Sequence, residues 1–383
     1  MGVIMSLAMN ENKSRPGIYR RDFLKLLAAG GIAAAGGHIL LELTPWQDYE
    51  QSANQIHKPL ERLSSVPVEM LELVRYATLA ANGHNTQPWK FVIKGKDIEI
   101  HPDHTRRLPV ADSIDRELWI SLGCSLENLL IAARAFGYTP EVTYPDRADF
   151  IHIRITADRP QSSPLFDAIP LRQNTRSEYD GSPIKKEEIE QIHGMPMDPG
   201  VVMRFIQNPR DMEMVLEYVD QGNLSLYSDK GFIDELIGWI RFNKKDALAS
   251  LDGLYSRCSG NPDVPQWLGK TLITLQTPQQ QADGDAKKLR TSGGAVVIAS
   301  ESDSKTAWVH TGQVYERLAL KMTSLNIKSA FLNQPIEVPG LRMQFQTALG
   351  ISQSLPQLLM RFGYASAMPR SLRRPLEQVL VQS

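Results

Sequence analysis

The sequence has few cysteines, almost no net charge and no apolar run long enough for a permanent membrane anchor, and each of these features argues against a class of protein. Cys124 and Cys258 are its two cysteines, and their spacing suits no zinc site. Cys124 lies in an apolar helical segment, which favours a core position over a disulfide. The formal net charge of −1 gives no support for nucleic-acid binding. The apolar run Leu26–Leu41 contains four glycines and His38. It falls short of the roughly 20 strongly apolar residues that a permanent membrane anchor needs.

The N-terminus is charged first and apolar next. Tyr19–Lys25 reads YRRDFLK, with two adjacent arginines directly before the apolar run. This order indicates a twin-arginine export signal, and an ordinary amphipathic N-terminal helix is the alternative. We expect residues 1–41 to be the signal and 42–64 a polar, irregular linker. The twin-arginine translocation machinery would then export the folded chain to the periplasm or cell envelope, a route that suits proteins loaded with a cofactor beforehand.

Beyond the linker, helical and strand-like patterns alternate, which predicts an α+β fold. Helices are expected at 68–81, 115–136, 164–172, 185–193 and 306–325, and over most of 211–250. Strands are expected at 89–93, 98–101, 150–155, 201–206, 295–300 and 329–332. The stretch 253–292 is rich in Pro, Gly, Gln and Asp and is expected to be irregular.

Two of the long predicted helices resemble each other. Each carries Trp, Gly, Glu and Leu at the same spacing. The matched residues are Trp119, Gly123, Glu127 and Leu129 in one helix and Trp308, Gly312, Glu316 and Leu318 in the other. The match has two alternative explanations. One is chance, and the other is an internal duplication, in which one chain imitates a two-subunit assembly.

The loop between the first helix and the first strand is a candidate ligand site. Residues 81–91 read ANGHNTQPWKF, and small residues there let backbone amides approach a ligand closely. Asn85 and Gln87 add side-chain donors and acceptors. The alternative is a plain turn followed by a core residue, Trp89.

Two arginine motifs are candidate anion sites. Arg172 and Arg176 share one face if the helix that begins at 164 persists, and planar, multi-donor cations suit a phosphate dianion. A second cluster, residues 369–375, reads PRSLRRP near the C-terminus and includes Arg373 and Arg374. Alone, each motif is more typical of a solvated surface.

Together the three motifs resemble the nitroreductase superfamily of FMN-dependent oxidoreductases. Asn-x-Gln-Pro-Trp at residues 85–89 is similar to that family's most recognisable segment. Arg-x-Asn-x-Arg at residues 172–176 stands where the family has Arg-x-Ser-x-Arg, and the C-terminal arm stands where the family places a further phosphate-binding cation. The resemblance covers residues 66–380, apart from an insertion at 222–292.

The distribution of these motifs resembles the internally duplicated, Acg-like branch of the superfamily. Ordinary members are homodimers in which the loop comes from one subunit and the arginine motif and arm from the other. In this sequence the loop occurs only in the first half, 65–160, and the arginine motif and the basic arm only in the second half, 161–383. The resemblance therefore implies a nitroreductase-like fold of two related halves, a monomeric pseudo-dimer with one complete site.

The resemblance implies FMN as cofactor, with no metal and no catalytic side chain, because the chemistry is the cofactor's. Arginines and Asn174 would hold the phosphate and ribityl chain, the loop would line the flavin, and Gln334 would lie near its redox-active edge. His84 is either a ligand contact or a turn histidine that faces solvent. The expected cofactor-binding residues are Asn82, Gly83, His84, Asn85, Gln87, Arg172, Asn174, Arg176, Gln334, Arg373 and Arg374.

The implied activity is a two-electron transfer from a small reduced donor, through FMN, to an electron-poor acceptor such as a nitroaromatic or a quinone. The insertion at 222–292 carries Trp239, Trp267, Tyr227 and Tyr255 and forms either a lid over the site or a surface elaboration. A lid that excludes nicotinamide predicts instead a catalytically quiet flavin-binding or storage protein. A degenerate scaffold without FMN is the third alternative.

Overall fold

The computed structural model of the protein describes residues 47–56, 58, 60, 67–145 and 148–381. The predicted signal at 1–41 lies outside these residues, as does much of the predicted linker. Within the linker, Gln47–Ile56 forms a helix (α1), so the expectation of irregular chain is wrong there. Tyr49 and Ala53, one turn apart, are both buried, and this packing stabilises the helix. No helix within the described ranges combines the length and apolarity needed to cross a membrane.

The first half consists of two long helices and an antiparallel sheet. A turn at Gly95, whose φ of +64° lies in the left-handed region, joins the first two strands as the Lys94–Asp97 pattern predicts. Its elements are α2 (Val68–Thr78), β1 (Trp89–Lys94), β2 (Asp97–Pro102), α3 (Arg116–Ala135), β3 (Tyr138–Thr143) and β4 (Ile151–Ala157). Strand β3, which the sequence pattern does not predict, lies at the edge of the sheet, where Pro140 leaves no central hydrogen bond unmade.

The second half contains more helices around a second antiparallel sheet. Its leading helices are α4 (Pro164–Ala168), α5 (Lys186–His193), α6 (Pro209–Leu226), α7 (Lys230–Trp239), α8 (Lys244–Ser250), α9 (Gln266–Leu275) and α10 (Pro278–Arg290). Its strands are β5 (Val201–Ile206), β6 (Ile240–Arg241), β7 (Leu254–Tyr255), β8 (Gly294–Ser300), β9 (Lys328–Phe331) and β10 (Leu355–Gly363). The remaining helices are α11 (Lys305–Ser324), α12 (Gln334–Glu337), α13 (Pro339–Leu349) and α14 (Leu376–Val379).

The two four-stranded sheets repeat one topology, and the α+β prediction is confirmed. The first sheet has the order β1-β2-β4-β3 and the second β5-β8-β10-β9, both antiparallel throughout. In each half a helix of 20 residues connects the second strand to the third. These helices, α3 and α11, contain the Trp-Gly-Glu-Leu match found in the sequence.

Helices α3 and α11 cross at their matched glycines. A Cβ on Gly312 would lie 2.0 Å from the carbonyl oxygen of Ile120, and a Cβ on Gly123 would lie 2.1 Å from that of Val309. The two contacts are equivalent when the two helices are exchanged, as expected for a self-complementary two-fold interface. Only glycine permits this approach of the two backbones.

The core occupies both faces of the second sheet but one face of the first. Strand β8 is buried along its whole length, as its continuous apolar run predicts. Its alternate residues Val296 and Ile298 pack towards α3 and α11, whereas Ala295 and Val297 pack towards α6 and α10. The main cluster therefore joins the two halves into one packed unit.

Further segments differ from the sequence expectations. Helix α2 ends at Thr78 rather than near Asn82, because arginines bind its last carbonyls. Helix α4 ends at Ala168, so it doesn't extend to Arg172. The stretch 253–292 contains α9 and α10; Thr277 starts α10 with a capping box that offsets the weak helix propensity of its Gln- and Asp-rich sequence.

Candidate functional site

One cavity lies where the loop after α2, the arginine motif, the insertion and the C-terminal arm meet. Its empty volume is about 610 Å³, including the part that is open to solvent. Four arginines line it and no carboxylate does. The lining residues are Leu79, Ala81, Asn82, Asn85, Arg172, Gln173, Asn174, Arg176, Leu254, Cys258, Pro369, Arg370, Ser371 and Arg373. The structure thus brings together Asn82, Asn85, Arg172, Asn174, Arg176 and Arg373 of the predicted set.

The arginine motif reaches the cavity as extended chain rather than along a helix. Asn174 forms a parallel bridge with Ser329 of β9, and the Thr175 amide donates to the Ser329 carbonyl over 2.9 Å. The expectation that Arg172 and Arg176 share a helix face is therefore wrong. Both side chains still line the cavity, because the bridge to β9 fixes the course of the chain.

Arg373 has no free hydrogen-bond donor. Its guanidinium donates to the carbonyls of Thr78, Leu79 and Ala80 at 2.8–3.2 Å, and also to Asn85 Oδ1 and its neighbour Leu372 O at 2.9 and 3.0 Å. These contacts use all five N–H groups of the side chain. Burial lowers the pKa of Arg373 to about 10, so the group stays charged at neutral pH. Arg373 therefore caps α2 and adds positive charge to the cavity wall.

Arg172 is paired with a buried carboxylate. Its Nε lies 2.9 Å from Glu316 Oε1, and its Nη2 donates to the Leu79 carbonyl over 3.0 Å. Glu316 is 0% exposed and also accepts from the Ala81 amide. Because Glu316 belongs to α11 and Ala81 to the loop, this pair joins the two halves at the cavity.

Arg176 and Arg370 have no such partners. Among the residues that the structure describes, neither guanidinium makes a hydrogen bond or an ion pair, yet both line the cavity. Burial lowers the pKa of Arg176 from its ordinary value of 12.5. Both side chains are half-buried on the cavity wall, so their donors are available to an anionic ligand, which guanidinium groups bind through charge-assisted hydrogen bonds.

Gln173 fastens the arginine motif to the C-terminal arm. Its amide donates to the Met368 carbonyl over 3.0 Å and accepts from the Met368 amide over 2.6 Å. Gln173 and Arg370 are both absent from the residues expected from the sequence. Arg370 lies inside the predicted basic cluster, whereas the role of Gln173 depends on an arm 195 residues away and has no local signal.

The loop after α2 holds an unusual backbone. His84, Asn85 and Gln87 have φ values of +47°, +54° and +53°. Such conformations cost free energy for residues other than glycine and concentrate at functional sites. The Asn85 amide donates to the carbonyls of Gly253 and Leu372, and Gln87 donates to the Leu251 carbonyl. The insertion and the arm therefore hold the strained loop in place.

Five predicted residues lie outside the cavity lining. Gly83 lies beside Ser121, and Gln87 is fully buried, where it accepts from the Arg374 amide. The guanidinium of Arg374 contacts Asp103 and the Trp89 carbonyl. Gln334 donates to Asp285 and packs against α6 at Gly222. His84, the fifth, is half-buried, and its Nδ1 is buried without a hydrogen-bond partner in the described part of the chain.

His84 should make stability depend on pH. Burial first, and the charge of Arg176 second, lower the pKa of His84 from 6.5 to about 4. The unfolded chain therefore binds a proton more readily between these values, and stability falls as the pH drops from 6.5 towards 4. We expect His84→Asn, which tolerates a positive φ, to remove roughly 2 kcal/mol of this pH-dependent loss. Urea unfolding of both proteins across this range measures the difference. Parallel pH profiles would contradict the assignment.

The residue that matches Glu316 in the other half, Glu127, has a different set of partners. Glu127, the repeat match of Glu316, pairs with Arg317 of its neighbouring helix through two contacts of 2.8 Å. Arg317 also contacts Asp198 over 3.1 Å, and Gln313 donates to Glu127 over 3.2 Å. These charges satisfy one another, so this location offers no unpaired cation to a ligand.

Comparisons with known proteins identify nitroreductase-like relatives. No family model matches the sequence. The chain is 24% identical over 316 residues to the Mycobacterium tuberculosis protein named "Putative NAD(P)H nitroreductase Rv3131". This alignment covers 79% of this chain and 88% of that protein. It is 22% identical over 321 residues to "Putative NAD(P)H nitroreductase acg" of the same organism, spanning 80% and 93%.

Among solved structures, the FMN-dependent nitroreductase NfnB of Mycobacterium smegmatis in complex with NADPH is 12% identical, with a TM-score of 0.38. The match covers 56% of this chain and 96% of NfnB.

Proposed function

We propose that the protein is an FMN-dependent oxidoreductase of the nitroreductase type. It would move two electrons from a small reduced donor, such as NADH or NADPH, to an electron-poor acceptor such as a nitroaromatic or a quinone. The observation that carries the proposal is the pair of unpartnered guanidiniums, Arg176 and Arg370, in a cavity that has no lining carboxylate. The names of the two mycobacterial relatives support the class of reaction.

The residues present fit the anionic end of FMN. A phosphate dianion accepts several charge-assisted hydrogen bonds, and Arg176 and Arg370 have donors to spare. Arg172 and Arg373 add positive charge, while Glu316 and backbone carbonyls hold them in place. Asn174 lies beside them and would contact the ribityl chain. The Tyr315 hydroxyl holds its side chain by donating to Asn174 Oδ1 over 3.2 Å. When bound, FMN supplies the hydride and electron chemistry. The chain binds and orients it, and no protein acid or base is required.

We further propose one FMN per chain and a monomeric pseudo-dimer that arose by internal duplication. The repeated strand order and the reciprocal glycine crossing support the duplication. The closed Glu127–Arg317 pair supports a single site. We also retain the proposal, based on residues 1–41, that the loaded chain is exported by the twin-arginine route to the periplasm or cell envelope.

The proposal predicts that the purified protein binds one FMN per chain. An oxidised-flavin spectrum should accompany the protein or develop when FMN is added. Under anaerobic conditions NADH or NADPH should bleach this spectrum, and a nitroaromatic or a quinone should restore it. Absorbance titration gives the stoichiometry, and stopped-flow mixing gives the two half-reactions.

Two results would revise the proposal in different ways. A protein that takes up no FMN would exclude the cofactor assignment. A bound flavin that dithionite reduces but no nicotinamide reduces would favour the flavin-storage alternative, in which the insertion keeps the donor out. Leu254 and Cys258 of the insertion do line the cavity, whereas Trp267 on α9 is 65% exposed.

A further inference from the structure

Helix α1 packs on a small apolar cluster that is separate from the main core. We call this group the arm cluster; its members are Tyr49, Ala53, Ala247, Tyr255, Cys258 and Leu372. Its residues come from α1, the insertion and the C-terminal arm. A ten-residue helix is marginal by itself in water, so α1 depends on this packing.

The arm cluster lies directly behind the cavity wall. Cys258 belongs to the cluster and also lines the cavity, and Leu372 is flanked by two lining residues, Ser371 and Arg373. The cavity and the docking surface of α1 therefore share the same two segments. A change in the position of either segment affects both.

Tyr49 connects these segments. Its side chain is 1% exposed, and its hydroxyl donates to the Arg370 carbonyl over 2.7 Å. The hydroxyl also lies 3.7 Å from Cys258 Sγ, and the ring lies 4.5 Å from that of Tyr255. Tyr49 thus holds the backbone of Arg370, whose guanidinium, like that of Arg176, has no partner among the described residues.

We propose that docking of helix α1 and binding of a phosphate-bearing ligand in the cavity stabilise each other, with Tyr49 as the positioning residue. An anion gives Arg176 and Arg370 the partners they lack and so orders the arm on which Tyr49 docks. By linkage, the docked helix strengthens anion binding by the same factor. The inference rests on the proposed function, because it takes the phosphate of FMN as the ligand.

The coupling gives the segment after the predicted export signal a role. Helix α1 begins at Gln47, shortly after the predicted signal at 1–41. Because of the coupling, its docking would differ between chains with and without FMN. Cofactor loading would then change the docking of residues 47–56. Processing of the signal would have to leave Gln47 and the residues after it in place.

Hydrogen exchange in the full-length protein tests the coupling. FMN should slow amide exchange in residues 47–56 at least tenfold, whereas riboflavin, which lacks the phosphate, should not. Tyr49→Ala should weaken FMN binding at least tenfold. Tyr49→Phe, which keeps the ring but loses the bond to Arg370, should fall between Tyr49→Ala and the native protein. Gln51→Ala, an exposed change on the same helix, is the matched control and should bind FMN normally.

The outcomes separate this inference from the proposed function. FMN binding with unchanged exchange in residues 47–56, or equal protection by riboflavin, would overturn the coupling and leave the FMN site standing. A native protein that binds no FMN would overturn both. The exchange measurement uses the native chain, so it tests the coupling even if Tyr49→Ala fails to fold.

Discussion

Gly312→Ala is expected to destabilise the protein by about 3 kcal/mol or more, although alanine is the better helix former. The added Cβ would lie 2.0 Å from the Ile120 carbonyl oxygen, which belongs to the backbone of α3 and cannot rotate away. Helices α3 and α11 would have to separate, and the buried side chains between the halves would lose contact. Urea unfolding gives the change in the free energy of unfolding.

Two further variants test whether the crossing is the cause. Gly284 lies inside α10 with open space around it, so Gly284→Ala should stabilise the protein by about 0.5–1 kcal/mol. The double variant Gly123→Ala/Gly312→Ala should lose less than the sum of its single variants, because the first methyl already separates the helices. A loss at Gly312 no larger than the effect at Gly284 would show that the helices have room.

Long-range contacts explain which elements the sequence predicts. Helices α3 and α11, strand β8 and the hairpin at Gly95 have strong local patterns, and the sequence predicts them within a few residues. Helix α1 isn't predicted, because its stability comes from the contacts of Tyr49 with segments around residues 258 and 370. The early end of α4 has a local cause that the sequence expectation overlooked, because Pro170 disfavours helix at the residue before it. The bridge between Asn174 and Ser329, in contrast, has no local signal.

The candidate site divides in the same way. The arginines that line the cavity, such as Arg172 and Arg176, are visible in the sequence, because they form a recognisable set with the loop after α2 and the C-terminal arm. The sequence does not show which hydrogen-bond donors of these arginines already bind other groups of the protein. Arg373 is predicted to bind the ligand, and its five donors contact backbone carbonyls and Asn85. The guanidinium of Arg370 makes no hydrogen bond or ion pair with the residues that the structure describes. Gln334 follows a strand as expected, but a hydrogen bond to Asp285 holds its side chain away from the cavity.

Arg172→Ala and Arg176→Ala are expected to separate stability from ligand binding. Arg172 neutralises Glu316, which is 0% exposed, so its loss leaves a buried carboxylate without its cation. Breaking such a pair costs about 3–5 kcal/mol, and FMN binding should weaken as well. Arg176 has no protein partner in the described residues, so Arg176→Ala should leave the free energy of unfolding of the FMN-free protein nearly unchanged. It should weaken FMN binding roughly 10- to 100-fold, as expected for charge-assisted hydrogen bonds.

Two comparisons make the contrast between Arg172 and Arg176 decisive. Adding Glu316→Gln to Arg172→Ala should recover much of the lost stability but not the FMN affinity, because it removes the unpaired charge without restoring the guanidinium. Arg154→Ala removes an exposed arginine outside the cavity lining and should change neither quantity appreciably. Urea unfolding without FMN and fluorescence titration with FMN give the two numbers for each variant. If Arg176→Ala destabilises the FMN-free chain as strongly as Arg172→Ala, Arg176 has a structural partner. If it binds FMN as tightly as the native protein, the phosphate lies elsewhere.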